Sequence, residues 1–465
     1  MISFLGGKQG VANFDKHERL KFVLLTLVFA LVIGSYTIAK ELKDSIFVSI
    51  VGKEFLPTAK LLVIFLLIPA AMGYARVVDA LRRYQVLAFY SLFYGITLAC
   101  FTLFLGHPTI GLYNTVVSGN RLFGWIFYCV LEGYSPFVVS VFWAYLNSVS
   151  SPTEAKNSYP LMVAGSKVGG ILVSLFACYM LGHVDTLRWL GNVNHDVVAH
   201  QILLGIVSCM LLCIPVFLYF LLKYVPGKYL HGYEAVYRME KRQEHEQESK
   251  TEVTPKVSTL SGIKMLFSEP YMLGIFGLVF FYETLNVLLG FQRIGLLQKA
   301  SSSIADLSAA MFWQRFEMHF WGMIFALFGV QFLLRKFEVR RCLLMVPVII
   351  SFLLFFFLFT NNADSVSLVF ISLGVINYSL SYPLREALYI PTPKDIKFKA
   401  KAWVDSFGTK FSKGFGSMFA NMTSFLPLGS AALLTIYIGF FSVLMLMWFV
   451  TAWLLGKKYE QAIKH

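Results

Sequence analysis

Long apolar runs without charged residues alternate with short polar loops along nearly the whole chain. The hydrocarbon core of a bilayer is about 30 Å thick, so an α-helix that crosses it needs about 20 apolar residues. Runs of this length predict twelve transmembrane helices. The predicted spans are 21–51, 57–78, 84–105, 121–148, 157–182, 197–223, 268–297, 313–334, 340–360, 364–386, 401–426 and 430–455.

One long polar stretch, residues 225–263, lies between the sixth and seventh predicted spans and contains the charge run from Tyr237 to Glu244. We interpret it as a cytoplasmic linker. The chain is therefore predicted to consist of an N-terminal six-helix bundle, residues 1–224, the linker, and a C-terminal six-helix bundle, residues 264–465. The predicted fold class is all-α integral membrane, with a major-facilitator-like architecture of two six-helix halves.

The composition agrees with a membrane protein, because 57% of the residues are hydrophobic and only 14% are charged. The mean hydropathy is +0.66. An ordinary soluble domain has fewer apolar and more charged residues. The formal net charge of +14 does not indicate a nucleic-acid partner, because the basic residues are spread over many short loops.

Basic residues are concentrated in alternate loops, and the cytoplasmic loops of membrane proteins carry more Lys and Arg than the outer loops. The basic side of the membrane includes Lys16, Arg19, Lys21, Arg82, Arg83, Arg335, Lys336, Arg340, Arg341, Lys394, Lys397, Lys399, Lys401, Lys457 and Lys458. The opposite loops hold little more than Lys53, Lys299 and Arg188. This bias predicts that both chain termini lie in the cytoplasm.

The sequence lacks the motifs of the common phosphate and metal enzymes. It has no Walker A loop, no Gly-rich dinucleotide turn after a strand, and no His-Glu-x-x-His helix. Its six cysteines lie in or beside apolar spans, without the spacing of a zinc site. We therefore expect no enzyme activity, no catalytic residue, no metal site and no cofactor.

A shift of 243 residues relates part of the fifth predicted span to the eleventh. It places Lys156, Gly165, Lys167 and Gly169 on Lys399, Gly408, Lys410 and Ser412. Many transporters consist of two such repeats, with the substrate site where they meet. The match supports a two-half architecture.

Lysines within the predicted spans are candidates for substrate binding, because a charge at membrane depth is costly unless it is paired or faces water. Lys413 lies about 18 Å from the cytoplasmic start of span eleven, close to the bilayer midplane. Lys410 lies one turn earlier on the same face, Lys167 has a similar depth in span five, and Lys43 occupies span one. These lysines suit the phosphates of a di- or triphosphate. Internal ion pairs with buried acids are the alternative.

Acidic residues in the same spans are candidates for charge balance or proton coupling. Glu132 in span four is followed by Pro136, which predicts a kink, and Glu283 lies deep in span seven. A carboxylate that pairs with lysine stays ionised, whereas an uncompensated one can bind a coupling proton. Asp44 and Asp405 complete the acidic set.

Three stretches of the chain carry a family resemblance. They are Tyr36–Ser45, then Glu132 with Phe142-Trp143 and Glu154-Ala155-Lys156, and finally Arg385–Pro391 with Lys401-Ala402-Trp403-Val404-Asp405, Gly408, Lys413 and Gly414. They resemble the ATP/ADP translocases, the nucleotide transporter family of plastids, chlamydiae and rickettsiae. The resemblance implies that Lys43 is the family's first-helix lysine, Glu132 its fourth-helix glutamate, and Lys413 its essential lysine of the eleventh helix.

The sequence departs from this family in span seven. The family has an asparagine followed three residues later by a functional glutamate, whereas here Asn286 is followed by Leu289. Glu283 is a candidate to replace the missing carboxylate. Asn286 is a candidate for contacting the base or lining the cavity, as is Tyr36, which lies on the same face of span one as Lys43.

The predicted function is exchange of ATP for ADP, or of related purine nucleotides, by alternating access. Two alternatives stay open: proton-coupled net import of a nucleotide, and a major facilitator carrier for another organic anion. The expected partners are a nucleotide substrate and membrane lipids, with no nucleic acid, and the chain is expected to be a monomer. The resemblance implies a multi-pass protein of the bacterial inner membrane.

Overall fold

A computed structural model describes residues 15–150, 152–186, 194–230, 269–325, 333, 337–389, 404, 408–425 and 430–464. Within these ranges the regular secondary structure is entirely helical. Described helices lie at all twelve predicted spans, and the predicted all-α membrane fold is confirmed.

The helices are numbered in chain order. The first half contains α1 (Lys16–Ile50), α2 (Leu56–Ala80), α3 (Arg83–Leu105), α4 (Leu122–Glu132), α5 (Ser140–Val149), α6 (Pro152–Gly182) and α7 (His195–Tyr224). The second half contains α8 (Pro270–Ala300), α9 (Ile304–Ile324), α10 (Val339–Thr360), α11 (Ala363–Ile376), α12 (Tyr382–Leu388), α13 (Thr409–Phe425) and α14 (Ser430–Lys464).

The helices carry the apolar surface that a bilayer requires. In the part of the chain that the structure describes, nine helical stretches have the length and hydropathy of a membrane span. Several large apolar side chains lie exposed on them, for example Leu103, Phe352 and Phe359. Such a surface is stable against lipid, whereas in water it would promote aggregation.

α1 and α9 are two of the helices that begin before their predicted spans. Asp15 caps α1, because its backbone N–H donates to Glu18 Oε2 at 3.1 Å while its side chain accepts hydrogen bonds from the first turn. α9 begins at Ile304 instead of residue 313, and Ser303 Oγ accepts a hydrogen bond from Asp306 N–H at 3.2 Å. Hydropathy missed both starts because the first turns are polar.

A π turn interrupts two spans at related positions. Residues Ser135–Val139 join α4 to α5, and residues Asn377–Ser381 join α11 to α12. In each turn a backbone N–H donates to the carbonyl five residues earlier, which is the π-helical pattern. Pro136 has no N–H for the α-helical bond to Glu132, which favours the first turn. The two turns are 242 residues apart, one residue from the shift found in the sequence.

The described helices form two compact units. One contains α1, the part of α2 from Leu66, α3 to α7 and residues 304–316 of α9, with Phe142 in its apolar core. The other contains residues 52–65, α8, the end of α9 and α10 to α14, with Phe441 in its core. Each unit is built around its own apolar core.

Glycines allow long helices to approach closely within both units. In the first unit, a Cβ built at Gly169 of α6 would lie 3.4 Å from Ala30 Cβ in α1. In the second unit, a Cβ built at Gly416 of α13 would lie 3.0 Å from the carbonyl oxygen of Thr284 in α8. In the first half the fifth span therefore packs on the first span through small residues, and in the second half the eleventh span packs on the seventh in the same way.

Gly416→Ala is expected to destabilise the protein, because the new methyl group would press on the backbone of α8. Overpacking of this kind costs about 1–3 kcal/mol. Gly439→Ala in α14 is the matched control, since a Cβ there meets no atom within 4 Å. Thermal unfolding in detergent should show a lower Tm for the first variant alone. Equal Tm values for both variants would contradict the close packing of α13 on α8.

Candidate functional site

A buried ion-pair cluster surrounds Lys43, whose side chain is only 5% exposed. Its Nζ forms an ion pair with Glu132 Oε2 of α4 and lies 3.2 Å from Asp44 Oδ1. The same Nζ lies 4.3 Å from the ring centroid of Tyr128. The structure thus brings together three of the residues predicted from the sequence. The fourth member of the cluster, Tyr128, was not predicted. Its position one turn before Glu132, on the same face of the helix, was a usable signal.

This cluster compensates a charge that is buried in the membrane. Removing an ammonium group from water is costly, and two carboxylates with an aromatic face offset that cost. Phosphate oxygens, like carboxylate oxygens, are anionic acceptors that form charge-assisted hydrogen bonds with an ammonium group. Lys43 can therefore exchange a carboxylate partner for a phosphate without becoming unpaired.

Tyr36 lies in an aromatic group beside this cluster. Its ring stacks on Tyr134 with centroids 5.8 Å apart, and Lys40 Nζ lies 5.8 Å from the Tyr36 centroid. Tyr134 is fixed in turn, because its hydroxyl lies 2.7 Å from Ser35 Oγ. A half-buried ring on a fixed support suits stacking against a nucleobase.

The second unit contains a similar pair. Lys413 Nζ of α13 lies 3.8 Å from Glu283 Oε2 of α8, and the two side chains are 35% and 16% exposed. This separation is an ion pair without a close hydrogen bond. Thr284 Oγ1 donates to the carbonyl of Ser412 at 3.2 Å, which holds the two helices together beside the pair. Lys413 thus combines a carboxylate partner with access from outside the core.

The departure in span seven has a structural explanation. Leu289 is fully buried in the apolar core of the second unit, so a carboxylate at this position would lie among apolar side chains. Glu283 supplies the carboxylate that faces Lys413 instead. Asn286 lies one turn after Glu283, is partly exposed, and projects from the same side of α8.

Lys167 is half-buried in α6, two residues from the glycine contact at Gly169. Lys410 is half-buried in α13, one turn before Lys413. Their positions are equivalent under the 243-residue shift. Asp405, the last of the predicted acidic residues, lies outside the described residues.

Arg315 and Glu41 form a deeply buried ion pair that was not predicted from the sequence. Arg315 Nε of α9 donates to Glu41 Oε1 of α1 at 2.8 Å, and the two side chains are 8% and 1% exposed. The signal was present, because Arg315 is a charge within predicted span eight. It was overlooked because its context, Trp313-Gln314-Arg315-Phe316-Glu317, resembles the end of a span.

Two further polar contacts hold the first part of α9 within the first unit. Ser308 Oγ lies 2.9 Å from His200 Nε2 of α7, and Ala305 N–H approaches Asp196 Oδ2 at 3.5 Å. With Arg315, these residues recur on one face of α9 at helical spacing. Polar side chains thus anchor one face of α9 at three levels.

The helices and their apolar outer surface define a polytopic α-helical membrane protein, and charges buried at membrane depth are typical of transporters. The model of the TLC ATP/ADP transporter family matches residues 9–459 of this chain. The chain belongs to the TLC ATP/ADP transporter family. This result confirms the predicted family, and with it a transporter and not an enzyme.

Curated relatives match over nearly the whole chain. The chain is 26% identical to ADP,ATP carrier protein 2, chloroplastic, of Arabidopsis thaliana, with 94% of this chain and 74% of the relative covered. It is 22% identical to ADP,ATP carrier protein 3 of Rickettsia bellii, with 98% of each chain covered.

Solved structures of major facilitator proteins share the fold. The crystal structure of a D-xylose-proton symporter aligns with a TM-score of 0.62 at 13% identity, covering 95% of this chain and 97% of the symporter. The inward open xylose transporter XylE from E. coli aligns with a TM-score of 0.59 at 12% identity, covering 93% and 94%. At these identities the likeness concerns the fold alone, and it confirms the predicted architecture.

Proposed function

We propose that this chain exchanges ATP for ADP across a membrane by alternating access. The observation that carries the proposal is the pairing of Lys43 and Lys413, one in each unit, with carboxylates of neighbouring helices. Both lysines lie in the stretches that resemble the family's motifs, and curated relatives are named ADP,ATP carrier proteins. An ammonium group with a displaceable carboxylate partner is suited to bind and release phosphate.

In the proposed mechanism, nucleotide phosphates displace Glu132 and Asp44 from Lys43, and Glu283 from Lys413. Lys167 and Lys410 add positive charge for the remaining phosphate oxygens. Tyr36 stacks on the base, and Asn286 offers an amide for a polar contact with the nucleotide. Asp405 belongs to the charge-balancing group. Each residue in this scheme is a proposal that substitution can test.

The carboxylates also determine whether transport is exchange or net import. Each of these ion pairs joins two helices, because Lys43 of α1 pairs with Glu132 of α4, and Lys413 of α13 pairs with Glu283 of α8. With Glu132 on Lys43 and Glu283 on Lys413, the pairs form again after the nucleotide leaves. We propose that the empty carrier, with these ion pairs formed, changes slowly between its two conformations, so that a bound nucleotide is required in each direction.

The expected setting is the inner membrane of a bacterium, with both termini in the cytoplasm. The topology is supported by the Lys and Arg bias of the loops. The chain is proposed to act as a monomer surrounded by lipid, because each unit has its own core and an apolar outer surface.

Uptake of labelled ATP into proteoliposomes tests this function. Vesicles that contain ADP should accumulate ATP rapidly, whereas empty vesicles should stay near background. Uptake into empty vesicles that is accelerated by an inward proton gradient would replace exchange with net import. If neither condition gives ATP uptake, the proposal of nucleotide transport is wrong.

Glu132→Gln should separate binding from turnover. Without Glu132, phosphate competes with fewer carboxylates for Lys43, so the apparent KM for ATP should fall. The nucleotide also leaves more slowly and the exchange Vmax should decrease, because the remaining pair with Asp44 compensates Lys43 less completely. Initial rates of exchange over a range of ATP concentrations measure both constants. A raised KM with unchanged Vmax would show that Glu132 contacts substrate and does not compete with it.

A further inference from the structure

Three lysine ammonium groups lie along the end of α8 that precedes α9. Lys60 Nζ lies 4.6 Å from the ring centroid of Phe291. Lys53 lies over Gly295, where a built Cβ would be 3.5 Å from its Nζ, and Lys299 belongs to α8 itself. Positions 291, 295 and 299 follow one another at a spacing of about one turn, or about 6 Å of helix rise. The three amines therefore form a row along one side of this helix end.

The row is accessible and partly held in place by packing. The side chains of Lys53 and Lys299 are exposed and that of Lys60 is partly exposed. Gly295 leaves room for the Lys53 side chain to lie against α8, and the face of Phe291 favours a cation at Lys60. All three lysines and α8 belong to the second unit. Their arrangement is thus a property of one packed body.

The row lies on the side of the membrane whose loops carry few basic residues. Lys53 and Lys299 are two of the few basic residues in loops assigned to the outer side of the membrane. Partial burial of the Lys53 ammonium group is the main cause that lowers its pKa, the positive charge of Lys299 lowers the pKa further, and Glu54 opposes the shift. The effect of Lys299 shows that the two ammonium groups repel each other. Like charges in this arrangement are stabilised by an anion.

We propose that Lys53, Lys60 and Lys299 form an outer phosphate-binding face that captures the nucleotide before it reaches Lys413. This inference rests on the proposed nucleotide transport and on the proposed topology. Lysine amines act as point charges that accept phosphate oxygens in many orientations, which suits brief capture better than tight binding. A basic surface at an entrance raises the rate of association with an anion.

The face should therefore affect the apparent KM for nucleotide on one side of the membrane. Each Lys→Gln substitution at positions 53 and 299 should raise the KM for ATP on the outer side by up to about fivefold, the effect of one exposed charge pair. The double variant should raise it about tenfold. Vmax and the KM on the cytoplasmic side should not change, because Lys413 and Lys43 are intact.

The experiment compares ATP/ADP exchange from both sides of oriented proteoliposomes made of phosphatidylcholine. The wild type, Lys53→Gln, Lys299→Gln, the double variant and a Lys457→Gln/Lys458→Gln control are measured at low and high salt. The control removes two charges from α14, on the side of the membrane assigned to the cytoplasm. High salt should raise the wild-type KM towards that of the double variant, because a 1 M salt solution screens charges beyond about 3 Å.

Three outcomes would overturn the proposal. The KM could stay unchanged in variants that transport at the wild-type Vmax, it could rise equally on both sides, or it could rise only when phosphatidylglycerol is added. The last result would assign the lysines to lipid phosphates instead of nucleotide. Failure of the wild type to exchange ATP would refute the proposed function itself, so the two failures are distinguishable.

Discussion

Lys413→Ala should reduce ATP/ADP exchange by about ten- to a hundredfold. A contact between a charged donor and a phosphate contributes about 1.5–3 kcal/mol, which corresponds to this range of rates or affinities. The loss also leaves Glu283 without the ammonium group that lies 3.8 Å from it, so a carboxylate would face the incoming phosphate. Exchange in ADP-loaded proteoliposomes measures the effect directly.

Two variants provide the controls for this result. Lys413→Arg keeps the charge and should retain partial exchange, because guanidinium binds phosphate with a different geometry. Lys223→Ala removes an exposed lysine from the last turn of α7 and should exchange like the wild type. Normal exchange by Lys413→Ala would show that Lys413 has no role in substrate binding.

Arg315→Ala should have the largest effect on stability. Glu41 is 1% exposed, so the variant would leave a buried carboxylate without the guanidinium that it contacts. Breaking a buried ion pair by removing one partner costs about 3–5 kcal/mol. The detergent-solubilised variant should therefore unfold at a clearly lower temperature than the wild type.

The double variant Glu41→Leu/Arg315→Met distinguishes the charge from the packing. Apolar replacement of both partners is often neutral, because the cost of burying the charges disappears with the charges. The double variant should recover most of the Tm lost by Arg315→Ala. A Tm as low as that of the single variant would mean that the side-chain shapes, and not their charges, hold α9 in place.

Hydropathy predicted the spans well because the lipid imposes one strong requirement, an uninterrupted apolar run. It failed where a span begins with polar turns, as at Ser303, and where a buried charge lies near a predicted boundary, as at Arg315. Such positions depend on partners that are distant in sequence. Glu41 precedes Arg315 by 274 residues, and no local pattern relates the two.

The candidate site was predictable in part. Charges within apolar spans pointed to Lys43, Glu132, Glu283 and Lys413, and the structure pairs them two by two. The sequence left the missing glutamate of span seven unresolved, because equivalence along a sequence does not show which side chain faces a lysine. In the structure Leu289 faces the core and Glu283 faces Lys413. The roles of these residues in transport stay predictions.

The two π turns bear on the history of the chain. A π turn holds one residue more than an α turn, and one residue rotates everything beyond it by about 100°. Two independent single-residue insertions, one in span four and one in span ten, would have had to occur at nearly equivalent positions, which are 242 residues apart in the chain. One insertion in an ancestral six-helix half, copied when that half was duplicated, accounts for both. The extra residue would then be older than the twelve-helix protein itself.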